Sequence, residues 1–578
     1  MLKKYFKEYF FHYLIGLLAI VVIDVIALKI PVITGLITDG LEQGTMDKGD
    51  ILGQMGWLVL VGISITLLRV VWRVLIFGTS RKIEYGLRND FFGHLEILST
   101  SFYNKQKTGD LMAYATNDLN AIRMLVGPGI LMLLDTVVVT TIVVYQMVRT
   151  TDVTLTILAV LPMPIIALLS LKLGHVIRSR FNKKQEAFAH LSDIVQENIS
   201  GIRVVKAFVQ ESYELIRFSE VNEDNYDKNM SVVKVQALMF PLAMLITGVS
   251  ITIALGYGGR LTMLGTITLG EFVAFIQYIM MLIWPMFAFG WFINIYSSGM
   301  ASLKRFEDIM NIQPEIKDEE GIDSDLVLEG EIKLNHLTFR YPEAETDALT
   351  DISLHIKKGE HIGIVGRTGS GKTTLVNLLL RLFDTQDGSI MIDGKSIKEW
   401  PLKNLRNGMG YVPQDNFLFS DSIKNNIGFG LDNFTLDLVE ESAKNVDVHD
   451  NISEFEQEYE TVVGERGVTL SGGQKQRVSI ARALIKDPSI LILDDAVSAV
   501  DTKTEERILN HLDKVRLNKT TITIAHRIST VKDCSCIYVL DEGKLVESGK
   551  HDELVTLNGI YYGMVMKQQL EKSISEEE

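Results

Sequence analysis

Long apolar runs occupy roughly the first 300 residues, and shorter alternating segments follow them. A helix that crosses a bilayer needs about 20 mostly apolar residues, and six stretches reach that length. They are residues 13–37, 57–78, 130–148, 154–173, 237–257 and 272–295. The pattern therefore predicts six spanning helices followed by a water-soluble half in which short strands and helices alternate.

Lysine and arginine are concentrated in the two long connections, after the second and the fourth predicted spans. Basic residues favour the cytoplasmic side of a membrane, so both termini and the soluble half are expected there. Both connections are expected to continue as helices out of the bilayer, and polar segments around Gly109 and Glu211 break their pattern. The basic, aromatic segment 1–12 predicts a short helix in the membrane interface, and a frayed terminus is the alternative.

Charged and polar side chains interrupt the apolar spans. The charged ones are Asp24, Lys29, Arg69, Arg73 and Asp135. They either line a substrate path or pair structurally and snorkel, and both interpretations stay open. The sixth span mixes aromatic and polar residues that suit large amphipathic molecules, although packing against neighbouring helices would look the same. These residues are Gln277, Trp284, Phe287, Phe289, Trp291 and Asn294.

The segment around Lys372 has the pattern of a phosphate-binding loop. Residues 361–365 predict a buried strand, and residues 366–374 (GRTGSGKTT) match G-x-x-x-x-G-K-[ST] before a predicted helix. Backbone N–H groups of such a loop wrap phosphates, its lysine reaches the phosphate oxygens, and its threonine ligates Mg²⁺. A later apolar strand ends at Asp494, whose carboxylate can also hold Mg²⁺. The candidate nucleotide-binding residues are Gly366, Arg367, Thr368, Gly369, Ser370, Gly371, Lys372, Thr373 and Thr374.

Composition narrows the possible partners. A net charge of −15 argues against a nucleic-acid-coating surface, and no nucleic-acid partner is expected. The two cysteines, Cys534 and Cys536, form a C-x-C pair in the soluble half, and such a pair alone is no metal site. A packing role is expected for both.

The stretch LSGGQ at residues 470–474 lies just before the apolar strand that ends at Asp494. A motif of this sequence at this spacing is the signature of ABC transporters, and residues 331–570 resemble their nucleotide-binding domain. The resemblance implies that the signature binds the nucleotide held by the other domain of a dimer. The signature residues that it assigns to nucleotide binding are Ser471, Gly472, Gly473 and Gln474.

The other family motifs follow in the family's order. By resemblance, Tyr341 stacks on adenine, and Gln414 senses Mg²⁺ and contacts the membrane domain. His526 matches the switch histidine that contacts the γ-phosphate. Residues 498–501 match the loop that the two domains of a dimer exchange, so Asp501 is also a candidate nucleotide contact.

The resemblance extends over the whole chain. It implies that the tips of the two long connections, near residues 108–112 and 211–218, are coupling helices. Residues 461–467 (TVVGERG) resemble the loop that precedes the signature in exporters. The predicted fold is an all-α six-helix membrane domain of the type I exporter (type IV ABC transporter) class, followed by an α/β P-loop NTPase domain. The chain is most similar in pattern to BmrC-type subunits of bacterial heterodimeric multidrug exporters. The expected boundaries are 1–310 for the membrane domain, 311–330 for a linker, 331–570 for the nucleotide-binding domain and 571–578 for an acidic tail.

Asp495 departs from the family pattern, in which glutamate follows the Mg²⁺ aspartate and activates the attacking water. Aspartate is one methylene shorter, which withdraws the carboxylate by about 1 Å and can slow a positioning-dependent step about a hundredfold. The site is therefore expected to hold ATP and Mg²⁺ but to hydrolyse ATP slowly. The expected catalytic residues are Asp495, His526 and Gln414, and the expected Mg²⁺ ligands are Thr373, Gln414 and Asp494.

The expected partner is a second half-transporter in a heterodimer, in which this chain's intact LSGGQ completes the partner's faster site. A homodimer in which aspartate suffices is the alternative. The expected function is ATP-driven export of hydrophobic or amphipathic compounds (multidrug efflux) across a bacterial plasma membrane, in contact with membrane lipid. A lipid or peptide exporter shares all these motifs, and an ATP-gated or regulatory channel is the alternative from a different class.

Overall fold

The computed structural model describes residues 1–318, 326–464 and 470–577, and the chain divides into two compact units. One unit comprises Met1–Ile97 and Gln106–Ile312, and the other comprises Leu98–Lys105 and Gln313–Glu578. The predicted linker at 311–330 lies partly outside the described residues.

The segment Leu98–Lys105 groups with the sheet-containing unit, away from the helices that flank it in sequence. Its Ser99 hydroxyl accepts hydrogen bonds from the backbone N–H groups of Glu315, at 2.9 Å, and Ile316, at 3.1 Å. Its Lys105 ammonium lies 3.4 Å from a Glu343 carboxylate oxygen. The sheet-containing unit is therefore built from two separate stretches of sequence.

Among the described residues, six helical runs are long and apolar enough to cross a membrane, which confirms the six predicted spans. Each run extends beyond its apolar segment, because the polar residues that follow or precede it are also helical. The runs are Phe10–Glu42, Lys48–Ile97, Thr108–Thr150, Val153–Ser200, Glu211–Met263 and Leu269–Met310.

Several runs consist of shorter helices joined without a loop. The α-helical pieces are Phe10–Ala27, Lys29–Glu42, Lys48–Trp72, Gly78–Ile97, Thr100–Lys105, Thr108–Ala113, Leu119–Met124, Ile130–Thr150, Val153–Val160, Pro164–Ser200, Ile202–Ala207, Glu211–Ile253, Gly259–Met263, Leu269–Met281 and Ile283–Met310. Five-residue π-helical segments join some of these pieces and locally widen the helix. They are Arg73–Phe77, Tyr114–Asp118, Leu125–Gly129 and Ala254–Gly258.

The tips of the two long connections differ from the prediction in one case. A separate short helix, Thr108–Ala113, lies at the first predicted tip. The second predicted tip, 211–218, is instead the start of the long helix Glu211–Ile253, so that expectation was wrong. The separate short helix there is Ile202–Ala207, set off by a positive φ of 54° at Val209.

The N-terminal segment forms a helix, Leu2–Glu8, and is not frayed. The Tyr5 hydroxyl donates a hydrogen bond of 2.8 Å to Asp90 Oδ2, which ties this helix to the second helical run. Its position in a membrane interface stays a prediction.

Two of the intramembrane charges have contrasting surroundings. Asp24 is buried, and its Oδ2 accepts no hydrogen bond within the described residues. The Arg73 guanidinium lies 5.6 Å from the centre of the Trp72 ring, an arrangement typical of a cation–π contact. Gln277 of the sixth run donates a 2.8 Å hydrogen bond to the Thr34 hydroxyl of the first. Arg73 and Gln277 thus have structural partners.

The residues of the second unit that the structure describes form ten strands in two sheets. The strands are β1 Ile332–Phe339, β2 Leu349–Ile356, β3 His361–Gly366, β4 Ile390–Ile392, β5 Lys395–Ser396, β6 Met409–Val412, β7 Ile490–Asp494, β8 Thr520–Ile524, β9 Cys536–Asp541 and β10 Lys544–Gly549. One sheet has the antiparallel order β2-β1-β4-β5, and the other has the order β10-β9-β3-β8-β7-β6. In the larger sheet β9, β3, β8, β7 and β6 are parallel, and β10 is antiparallel.

Burial explains this arrangement. Every residue of β7 and β8 is buried, as expected for central parallel strands covered on both faces. The edge strand β10 instead has no fully buried residue. Because β3, β8 and β7 are parallel, the carboxyl ends of β3 and β7 lie at the same edge of the sheet. Parallel sheets bind their ligands at that edge.

Helices cover the sheets and complete the unit. The α-helices are Lys372–Leu379, Leu402–Asn407, Ile423–Gly428, Leu436–Asn445, His449–Ser453, Gly472–Leu484, Thr502–Val515, His551–Thr556 and Ile560–Glu577. Single 3₁₀ turns lie at Ile397–Glu399, Glu458–Glu460 and Ile528–Thr530.

The Arg516 side chain lies at the amino ends of β7 and β8, two neighbouring strands of the larger sheet, and connects them. Its side chain is only 5% exposed. Its guanidinium donates 2.8 Å hydrogen bonds to the carbonyl oxygens of Pro488 and Thr520, and a 3.2 Å bond to the Thr521 hydroxyl. Burial lowers the pKa of Arg516 to about 10, so the group stays charged at neutral pH.

Arg516→Met is expected to destabilise the second unit by about 3 kcal/mol, since it leaves buried carbonyls without donors. In calorimetry of the full-length protein, that loss corresponds to a fall in Tm of roughly 6–12 °C for this unit. Lys514→Met removes an exposed cation two residues earlier, in the last turn of the helix Thr502–Val515, and is the matched control. Equal Tm values for the two variants would contradict this role for Arg516.

Candidate nucleotide site

A cavity of about 490 Å³ lies against the loop that follows β3. Its size suits a small-molecule ligand such as a nucleotide. The predicted site residues that line it are Thr368, Gly369, Ser370, Gly371, Lys372, Thr373, Thr374, Gln414, Asp494 and His526. Gly366, Arg367, Tyr341, Asp495, Asp501 and the signature residues do not line this cavity.

The loop itself depends on two glycines. Gly371 adopts φ +97°, a left-handed conformation that favours glycine, and it precedes the helix Lys372–Leu379. At Gly366 a Cβ atom would lie 2.2 Å from the Leu540 carbonyl oxygen, so any larger residue would push β3 and β9 apart. The loop can therefore pass close to neighbouring backbone and present its N–H groups at a helix N-terminus, where anions bind.

The Lys372 ammonium folds back onto the loop that carries it. Its Nζ donates to the carbonyl oxygens of Gly366, at 2.9 Å, and Arg367, at 2.8 Å. Burial lowers the pKa of Lys372 below its usual value, while the Asp494 and Asp495 carboxylates oppose that shift. The lysine is thus held at the mouth of the loop by carbonyls that phosphate oxygens can replace.

Thr373 of the phosphate-binding motif and Asp494 at the end of β7 are far apart in sequence but in contact in the fold. The Thr373 hydroxyl donates to Asp494 Oδ2 at 3.3 Å, and Asp494 is 3% exposed at the end of β7. Burial raises the pKa of the Asp494 carboxyl, an effect that the Thr373 hydrogen bond opposes. Gln414 lines the same cavity. Hydroxyl, carboxylate and amide oxygens are the ligands that Mg²⁺ prefers, so this donor set fits the metal.

Tyr341 lies beside the cavity. Its hydroxyl donates to Thr374 Oγ1 at 3.1 Å. Its ring packs edge-on against Phe339 and Phe383, with centroids 5.0 and 5.1 Å away. These contacts fix the ring next to the phosphate-binding loop, and adenine stacking remains a prediction.

Asp495 has an unusual backbone. Its φ is +51°, in the left-handed region that aspartate tolerates better than most residues. Its N–H donates to the Ile524 carbonyl at 2.8 Å, and its own carbonyl accepts from Ser498 Oγ at 3.0 Å. Asp495 lines a second cavity, of about 630 Å³, together with Gln414 and Gly472. The residue therefore lies between the Gln414 segment and the start of the signature helix.

The signature residues form the start of a helix. Ser471 caps the helix Gly472–Leu484, and its Oγ accepts from Gln474 N at 3.3 Å. In return, the Gln474 side chain accepts from Ser471 N at 2.9 Å. This capping box fixes the loop, and with Gly473 it exposes a helix N-terminus suited to a phosphate. Residues 465–467 of the predicted exporter loop at 461–467 lie outside the described residues.

Asp501 also acts as a helix cap. Its carboxylate accepts from Thr504 N at 3.1 Å, at the start of the helix Thr502–Val515. Hydrogen bonding to Thr504 lowers the pKa of the exposed Asp501 carboxyl. The cap keeps the end of the 498–501 loop charged and fixed.

Several residues that line the first cavity were missed from the sequence. They are Thr346, Asp347, Ala348, Glu542 and Gly543. Glu542 and Gly543 have φ values of +46° and +77° and form the tight turn between β9 and β10. The Glu-Gly dipeptide between two apolar runs was the available signal for this turn.

The arrangement matches known proteins along the whole chain. Residues 13–286 match the family described as ABC transporter transmembrane region, and residues 349–498 match the family described as ABC transporter. The chain is 39% identical to "Probable multidrug resistance ABC transporter ATP-binding/permease protein YheI" of Bacillus subtilis (strain 168), over 99% of this chain and 98% of that protein. This chain belongs to the ABC transporter family.

Other relatives give the same result. "Multidrug resistance-like ATP-binding protein MdlA" of Escherichia coli (strain K12) is 38% identical over 100% of this chain and 97% of that protein. The solved structure of a bacterial Atm1-family ABC exporter with ATP bound superposes with a TM-score of 0.80, at 27% identity, over 96% of this chain and 99% of that one.

The family assignment confirms the predicted family, fold class, ATPase activity and membrane location. The chain is an ABC exporter half-transporter with an N-terminal transmembrane domain and a C-terminal ABC ATPase domain. It is an ATPase coupled to transport, and a multi-pass plasma-membrane protein. ABC exporters work as dimers, so this half-transporter needs a second half.

Proposed function

We propose that this ABC transporter exports hydrophobic and amphipathic compounds as one half of a heterodimer, and that its own ATP site is the slower of two. The observation that carries the asymmetry is Asp495. Its backbone is held by hydrogen bonds to Ile524 and from Ser498, so a carboxylate one methylene shorter than glutamate has little freedom to advance. ATP binding residues around it are intact.

Mg²⁺ is proposed as the second component of the nucleotide site. Thr373, Gln414 and Asp494 would hold it, because all three line one cavity and the Thr373 hydroxyl contacts the Asp494 carboxylate. When bound, the ion would neutralise phosphate charge. The residues of this chain hold the nucleotide around it: the loop N–H groups and Lys372 bind phosphate, and His526 lies at the same cavity.

The signature of this chain is proposed to complete the partner's site. The Ser471–Gln474 capping box leaves the helix N-terminus ordered and free of any substitution that would block a phosphate. A heterodimer of this kind has one site with the partner's glutamate and this chain's intact signature. That site would supply most of the turnover.

The substrate class is supported by the membrane unit. A cavity of about 450 Å³ lies among the fourth, fifth and sixth runs, within the size range of drug-sized ligands. Its lining combines large apolar side chains with a few polar ones. The apolar ones are Ile177, Phe181, Met239 and Trp291, and the polar ones are Ser170, Arg178, Gln236 and Asn294. Trp291 and Asn294 belong to the sixth-span set that the sequence singled out.

Transport assays in inside-out vesicles test this proposal. Vesicles that contain the chain and its second half are expected to accumulate a hydrophobic fluorescent dye when ATP is added, and to lose this uptake with a non-hydrolysable analogue. Vesicles without the transporter are the control. Ion flux that does not require hydrolysis would contradict export and favour a channel, and uptake restricted to fluorescent phospholipid would favour a lipid exporter.

A further inference from the structure

Gln476 lies one turn into the helix that begins at the signature, outside the five signature residues. Its side chain is 4% exposed. The amide oxygen accepts from Ala499 N at 2.9 Å, and the amide nitrogen donates to Ser498 Oγ at 3.1 Å. The nitrogen also lies 3.4 Å from the Asp495 carbonyl oxygen. One buried amide thus links the signature helix to the Asp495 peptide and to the 498–501 loop.

The orientation of this amide is fixed by its partners. Turning it by 180° would place the amide nitrogen against the Ala499 N–H, so two donors would face each other. Donor and acceptor are therefore both used, and both partners belong to the 498–501 loop. The same loop is held on its other side, where Arg527 donates to the Ser498 carbonyl at 3.1 Å.

The contacted peptide is the one that aims the Asp495 carboxylate. With φ at +51°, the direction of the side chain depends on the orientation of this peptide. Three hydrogen bonds to the Asp495 carbonyl fix that orientation, from the Gln476 amide, the Ser498 hydroxyl and the Ser498 backbone N–H. The Ser498 hydroxyl that supplies one of these carbonyl bonds is itself bonded by Gln476. Gln476 therefore acts on Asp495 both directly and through Ser498.

We propose that Gln476 is a positioning residue for ATP hydrolysis, which couples the signature helix to the Asp495 peptide and to the 498–501 loop. Because the signature serves one ATP site and Asp495 the other, a shift of this helix changes the geometry of both sites at once. This role does not depend on whether the partner is identical or different.

Two substitutions separate positioning from packing. Gln476→Glu keeps an oxygen for the Ala499 N–H but removes the donor to Asp495 and Ser498, and Gln476→Ala removes both interactions. Both variants of the full-length transporter in nanodiscs are expected to lower kcat about tenfold, as a displacement of less than 1 Å would. The KM for ATP is expected to stay within about twofold, because no phosphate contact changes. Gln457→Ala, which removes an exposed glutamine side chain of the same unit, is the control.

A double-mutant cycle provides the decisive readout. Ser498→Ala and Gln476→Ala act through one network, so their combined loss of kcat is expected to be smaller than the product of the single losses. A combined loss of kcat equal to the product of the single losses would overturn the proposal. An unchanged kcat in Gln476→Glu, or a rise in KM at constant kcat, would overturn it as well. If Gln476→Ala fails to fold, the near-isosteric Gln476→Glu variant, with its Tm measured alongside, decides the question.

Discussion

Asp495→Glu is expected to raise ATP turnover at this chain's own site by about a hundredfold, since the added methylene advances the carboxylate by about 1 Å towards the attacking water. Asp495 borders the cavity that Gln414 and Gly472 also line, so the longer side chain has space to extend. The measurement is steady-state ATP hydrolysis by the full-length chain purified alone, at saturating ATP.

Two variants control for this gain. Asp437→Glu makes the same substitution at an exposed helical position and is expected to change nothing. Asp495→Asn keeps the size and the left-handed backbone but removes the charge, so it should abolish residual turnover and leave ATP affinity unchanged. Normal exporter turnover in the unmodified chain, with no gain in Asp495→Glu, would show that aspartate suffices and would remove the case for a slow site.

The glutamate variant is also expected to be less stable. Position 495 has φ +51°, and a longer side chain without aspartate's local hydrogen bonding is less suited to that region, at about 1 kcal/mol. A gain in activity accompanied by a slightly lower Tm would therefore be the combined signature of this substitution.

Lys372→Ala is expected to weaken ATP binding to this chain about a hundredfold. The lysine supplies the charge-assisted bonds to phosphate oxygens that replace its present bonds to Gly366 and Arg367. The measurement is equilibrium binding of a fluorescent ATP analogue to the full-length chain. This outcome contrasts with Asp495→Asn, which is expected to bind normally and hydrolyse nothing.

Lys403→Ala is the matched control for charge, since it removes an exposed lysine from a surface helix of the same unit. If Lys372→Ala bound the analogue as tightly as Lys403→Ala, the cavity beside β3 would not be the nucleotide site. The Tm of the Lys372 variant shows whether any loss of binding reflects misfolding.

The parts that could be predicted from the sequence are those with local signals. The apolar length of each span and the G-x-x-x-x-G-K-[ST] pattern around Lys372 both depend on neighbouring residues. The described part of the chain has six spans and a loop of that kind. The LSGGQ segment likewise forms a local capping box. These features required no knowledge of distant contacts.

The parts that could not be predicted depend on distant contacts or on single backbone angles. The helix Ile202–Ala207 replaced the predicted tip at 211–218 because Val209 turns the chain, and valine carries no turn signal. Gln476 gains its role only when the 498–501 loop folds against it, 22 to 23 residues away in sequence. The left-handed angle at Asp495 has no sequence signal beyond the residue type.

The segment Leu98–Lys105 makes the sheet-containing unit discontinuous. A polypeptide that starts at residue 313 would include Glu315 and Ile316 but not Ser99, the acceptor for their N–H groups. It would also lack Lys105, the ionic partner of Glu343. A cut at one peptide bond therefore leaves part of the ATPase unit, residues 98–105, attached to the membrane half. We expect the excised ATPase to fold better when a peptide of residues 98–105 is added.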